Sequence, residues 1–86
     1  MRPMLHDVVA QDNLCLLLTY ETGEQKIFDV APYAKGDFFG ELSCPAYFKQ
    51  VGIAHGGDCV VWPHGQDMAP EDLYELSTPA DHGALR

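Results

Sequence analysis

Seven residues lying between two turn signals, Leu14-Cys15-Leu16-Leu17-Leu18-Thr19-Tyr20, constrain this chain more than any other stretch. Leu14, Leu16, Leu18 and Tyr20 fall on one face of a strand, and Cys15, Leu17 and Thr19 on the other. Both faces are apolar enough to want cover, so the strand belongs in the middle of a sheet. Its neighbours follow from the flanks. Residues 5–10 alternate weakly and end at the turn-forming Gln11-Asp12-Asn13. Glu21-Thr22-Gly23-Glu24 supplies a hairpin loop in which Gly23 is free to take positive φ. Gln25 to Val30 then returns with Phe28 and Val30 on one side. Three strands joined by short turns predict an antiparallel meander.

Pro32, Gly36 and Gly40 interrupt the middle of the chain, so 31–50 reads as a loop with short helical turns. One is expected near 38–43. A second, 45–49, opens on Pro45 and carries Phe48 to the core. A second hairpin follows, with 51–55 and 58–62 as its arms and Gly56-Gly57 at its turn. Pro63 ends it for want of an N–H. Met68 to Leu76 predicts a short helix with Pro70 in its first turn and Leu73 facing inward. The expected architecture is α+β: a small antiparallel sheet of about five to six strands, short helical turns in the middle, and one C-terminal helix. Residues 1–76 are expected to form a single domain and 77–86 a frayed, flexible tail. The predicted core is Leu16, Leu18, Phe28, Val30, Phe48, Val60, Trp62 and Leu73.

Charge limits the partners. Among 86 residues there are 13 acidic against 5 basic side chains, for a formal net charge of -8. A direct grip on phosphate backbones or anionic lipid needs the reverse balance, so no direct nucleic acid and no membrane are expected as partners. No run approaches the ~20 apolar residues of a membrane span, and the first seven residues lack the apolar centre of a signal peptide. Cys15, Cys44 and Cys59 are widely spaced, odd in number and outside any C-x-x-C. They fit buried thiols in a reducing cytoplasm, with no intrachain disulfide.

The residues that could carry chemistry do not assemble a known signature. His55, His64 and Asp67 lie close in sequence, but zinc wants three or four converging ligands, and no H-E-x-x-H or paired-cysteine motif is present. No metal or other cofactor is expected. Ser43 and Ser77 stand in no G-x-S-x-G context. Cys44, just before Pro45 at a helix start, reads as packing rather than as a nucleophile. His55-Gly56-Gly57-Asp58 lacks the Lys-Ser/Thr of a phosphate loop.

Three segments in order carry a family resemblance. They are G-E-Q-K-I-F-D-V-A-P from Gly23, the 36–51 segment with Leu42, Pro45, Tyr47 and Phe48, and V-V-W-P-H-G-Q-D-M-A-P-E-D-L-Y at 60–74. Together they resemble the small bacterial family called Domain of Unknown Function 2442. The last segment is the most specific. This sequence departs from the family pattern at His64, where Asn is more common. The resemblance implies a compact α+β fold and no established activity. Some relatives continue into a helix-turn-helix domain, for which this chain is too short. Some are encoded beside another small protein, in a manner suggesting a toxin–antitoxin pair.

A non-enzymatic interaction or regulatory module is therefore expected, with a protein partner or a homodimer as its ligand. It would be an antitoxin-like partner of a small basic protein. The contact is expected at an edge strand and the 62–67 turn, through Trp62, His64, Gln66 and Asp67. His64 and Gln66, as turn residues, are expected to tolerate substitution within about 0.5 kcal/mol. The alternative is a small-molecule-binding or metal-assisted hydrolytic protein that uses the 55–67 region.

Overall fold

A computed structural model describes residues 3–80. Strands β1 (Leu5–Gln11), β2 (Cys15–Tyr20) and β3 (Gln25–Asp29) form the expected meander, with β2 central. Leu16, Leu18 and Tyr20 are buried on its inner face. Burying a leucine fully is worth about 1.5–3 kcal/mol, which commits this face to the core. Leu14 behaves differently from its predicted place in the strand. Asn13 and Leu14 both have positive φ, 64° and 58°, so the β1–β2 turn takes Leu14 with it. Asparagine adopts that conformation readily, whereas it is uncommon for leucine. The turn is tied down where the Val30 N–H donates to the Leu14 carbonyl at 2.8 Å.

The middle of the chain runs through a 3-10 turn at Ala31–Tyr33, helix α1 (Gly36–Phe39), a second 3-10 turn at Gly40–Ser43 and helix α2 (Pro45–Phe48). The pieces from 36 to 48 fall where the two helical turns are expected, and the 3-10 turn at Ala31–Tyr33 is additional. Leu42, Tyr47 and Phe48 are buried, so this segment fills the core as well as connecting its halves. Beyond it, β4 (Gly52–Ala54) and β5 (Cys59–Val61) pair as the second hairpin.

Two features correct the sequence reading. Asp67–Met68 is a strand, β6, paired with β5, and not part of the last helix. The reason lies at Pro70: the residue before a proline is pushed out of the α region. Ala69 is accordingly extended, at φ -61° and ψ 138°, and helix α3 spans Pro70–Glu75. The second correction concerns the tail. Ser77 is buried, and Thr78–Pro79 forms β7, which pairs with β3. The Ala80 N–H donates to the Gln25 carbonyl at 2.9 Å. Residues 77–80 of the expected tail thus pack on the first sheet; residues 81–86 lie outside the described residues.

The result is two antiparallel sheets, β1-β2-β3-β7 and β4-β5-β6, with short helices. The core draws Leu16, Leu18, Phe28 and Val30 from the first sheet side and Val60, Trp62 and Met68 from the second. Leu42, Phe48 and Leu73 join them from the helical segments. Every predicted core residue is buried. Lys26 is buried too. Its ammonium donates to the Tyr74 carbonyl and stands 3.9 Å from the centroid of the Tyr74 ring, which ties α3 to β3. Among the described residues no helix is long and apolar enough to cross a membrane.

Candidate functional site

The second sheet ends in the turn Trp62-Pro63-His64-Gly65-Gln66, and the chain closes it with its own backbone. The Gly65 N–H donates to the Trp62 carbonyl at 2.9 Å, and the Trp62 N–H donates to the Gln66 carbonyl at 2.9 Å. Gly65 has φ 103°, a conformation that favours glycine. The turn therefore presents His64 outward and returns Gln66 inward.

Gln66 has no exposed surface, and each end of its amide has partners. Its Oε1 accepts from the Tyr47 hydroxyl at 2.6 Å. Its Nε2 donates to the Phe38 carbonyl at 2.9 Å and to Glu41 Oε1 at 3.0 Å. The Tyr47 hydroxyl in turn accepts from the His64 backbone N–H at 2.8 Å. One buried amide thus joins α1, the 3-10 turn after it, α2 and the turn at 62–66. A buried polar group without such partners would cost about 1–3 kcal/mol. Among the described residues no buried side-chain polar atom lacks a partner.

His64 completes the arrangement at the surface. Its ring stacks on Tyr47, with centroids 5.1 Å apart. Its Nδ1 lies 2.8 and 2.9 Å from the two Glu41 carboxylate oxygens. A carboxylate only accepts, so the Nδ1 carries the hydrogen. The His64 and Gln66 hydrogen bonds hold the Glu41 carboxyl below its usual pKa, against a smaller opposing effect of burial. A histidine oriented by a carboxylate is the base-and-orienter half of a catalytic triad. The Tyr47 ring it stacks on carries a hydroxyl that donates to Gln66 and accepts from the His64 N–H, so that hydroxyl is not free to act as a nucleophile.

The four partner-binding residues expected from the sequence separate into two pairs. Trp62 is buried, and its Nε1–H donates to the Phe48 carbonyl at 2.9 Å. Trp62 and Gln66 are both buried, and Gln66 is a hydrogen-bonded interior residue rather than the solvated turn residue expected from its place in the sequence. His64 and Asp67 are exposed. The sequence reading missed Glu41 and Tyr47. Tyr47 precedes Phe48 in a Pro-initiated helix, which puts two aromatics at the core; Glu41 carried no such signal.

For metal or thiol chemistry the placements are plain. Nδ1 of His64 is directed at Glu41, while Asp67 lies on β6. Among the described residues no three His, Cys, Asp or Glu side chains gather as a metal cluster; the His55 side chain lies outside them. Cys59 is buried, and burial first, then Asp67 and Asp58, push its thiol pKa up. Cys44, the residue just before α2, is exposed rather than packed, contrary to the sequence reading.

Beside β6 lies a concavity of about 210 Å³ bounded by Tyr33, Phe39, Asp67, Met68, Ala69 and Asp72. Together with Phe38, which is 48% exposed, it gives this end of the molecule an aromatic and acidic surface.

The family model described as "Protein of unknown function (DUF2442)" matches residues 5–79. No curated protein and no solved structure matches the chain.

Proposed function

The chain belongs to the DUF2442 family, and on its own geometry we propose that it is a non-enzymatic interaction module whose ligand is a basic protein. The observation that carries this is the locked turn. Its polar side chains are spent on one another, through Tyr47, Gln66 and Glu41, which makes it a rigid platform rather than a reactive centre. Rigid elements bind with less ordering cost than mobile ones. Around the platform stand exposed His64, Asp67 and Phe38, and β6 is an edge strand of its sheet. An edge strand beside aromatic side chains is a common seat for an extended segment of a partner.

The partner's charge follows from the net charge of -8. Complementary charge speeds encounter and excludes wrong partners. The proposed partner is a small basic protein encoded next to this one and held in an antitoxin-like complex. The module works in the cytoplasm, where its three cysteines stay reduced.

Affinity capture from the cells of origin tests the proposal. Wild-type protein should retain a basic protein at about 0.15 M salt and release most of it at about 0.5 M. An Asp67→Lys variant with an unchanged circular dichroism spectrum should retain far less. Equal retention by the variant would remove the face around Asp67 from the contact, whereas capture of no basic protein, or capture that is indifferent to salt, would count against the proposal.

A further inference from the structure

The concavity beside β6 has walls of two chemistries. Tyr33 and Phe39 supply aromatic surface, and Asp67 and Asp72 supply carboxylates. The Tyr33 ring is held in place by stacking on buried Phe28, with centroids 5.7 Å apart and planes 18° apart. Phe39 is braced edge-on by Phe38 at 5.4 Å. Among the described residues neither Asp67 nor Asp72 has an ion-pair partner.

Size narrows the occupant. Small-molecule sites usually span about 300–1,000 Å³, and 210 Å³ is below that range. One long side chain suits it better than a cofactor. Two carboxylates without a third ligand are also too few for the oxygen cage of a calcium ion. A flat cation meets both kinds of wall at once: it pairs with carboxylates and lies against aromatic faces. Guanidinium does this better than ammonium, because it is planar and more weakly hydrated.

We propose that this pocket receives an arginine side chain from an extended segment of the partner, with the guanidinium pairing with Asp67 and Asp72 and lying against the Tyr33 and Phe39 rings. This rests on the reading of the chain as a module for a basic protein, and it adds the residue that is recognised and where. Asp67 and Met68 belong at once to the pocket and to the edge strand β6. A partner strand laid along that edge brings its side chains to the pocket mouth, and main-chain pairing with one side-chain pocket is how strand addition gains specificity.

The test uses a minimal probe, N-acetyl-arginine amide, titrated into the full chain and followed by amide NMR shifts. Saturable shifts are expected at residues 33, 39, 67–69 and 72. The neutral isostere N-acetyl-citrulline amide should bind weaker by about fivefold or more, as should the arginine probe to an Asp67→Asn/Asp72→Asn variant whose other shifts are unchanged. Asp72→Asn alone serves if the double variant does not fold. Equal binding of citrulline, shifts centred elsewhere, or no shift at about 50 mM probe, well above the millimolar range of weak single contacts, would overturn the proposal. Failure here is separable from failure of the module itself. A basic partner captured equally by wild type and Asp72→Asn removes the pocket and keeps the module. Arginine binding in the pocket without any captured basic protein does the opposite.

Discussion

A Cβ placed on Gly57 would stand 2.8 Å from the carbonyl oxygen of Leu5 and 3.3 Å from its amide nitrogen. The second hairpin turn is pressed against the backbone of β1 at its first residue. Gly57→Ala should therefore destabilise by about 1–3 kcal/mol or more, from the clash and from a φ of 106°. Gly56→Ala is the control, since its φ is 69° with nothing within 4 Å. It should show only the conformational cost, about 1–2 kcal/mol. Urea unfolding of both variants measures the difference; an equal loss in the two would deny the close approach any energetic weight.

The buried amide at Gln66 should behave as part of one unit with Tyr47. Gln66→Ala and Tyr47→Phe should each cost roughly 1–3 kcal/mol, because each removes hydrogen bonds from buried or part-buried partners. The double variant should lose less than the sum, with a coupling of about 0.5–3 kcal/mol. Strict additivity in denaturant midpoints would mean the two side chains act separately.

Acid should loosen the turn through Glu41. Its folded carboxyl has a lowered pKa, owing first to the His64 hydrogen bond and then to that of Gln66. A lowered folded value means that the stabilisation is complete above the unfolded value, about 4.3. It disappears as pH falls through the lower folded value. Glu41→Gln keeps the acceptor and removes the titration. Unfolding curves from pH 6 down to pH 2 should fall less steeply for this variant than for wild type. Parallel curves would place the acid sensitivity elsewhere.

The three thiols should react in an order set by exposure. Cys44 is exposed and should take an alkylating reagent in the native state. Cys59 is buried with a raised pKa and should react only after unfolding. Cys15 is partly covered, its pKa raised by burial and then by Asp29, and should fall between them. No reductant should be needed to label all three in denaturant. Mass spectrometry after timed labelling decides this, and early modification of Cys59 would contradict its place in the core.

The strands and the core were legible because they rest on period and bulk. Leu16, Leu18, Phe28 and Val60 repeat at strand spacing, and burial of such side chains tolerates few alternatives. β6 was not legible, because two residues have no period and only pairing with β5 makes them a strand. Lys26 occupies a core-facing place by alternation with Phe28, but its burial depends on Tyr74, 48 residues away. The site divides in the same way. A glutamine after a turn glycine looks solvated until Tyr47, Phe38 and Glu41 arrive from other parts of the chain. Polar burial is a tertiary property, with partners that sequence spacing does not announce.

The pairing of Thr78–Pro79 with Lys26 and Ile27 has a consequence for handling the protein. Without β7, the outer ladder of β3 would stand bare, and bare ladders recruit other chains. Proline makes β7 a poor template in its own right, since it offers no N–H for a further strand. The two residues act as a guard against self-stacking. A version shortened at Leu76 would keep nearly all of the core and still be expected to aggregate as its concentration rises. Fusion partners belong after residue 80 rather than before Ser77.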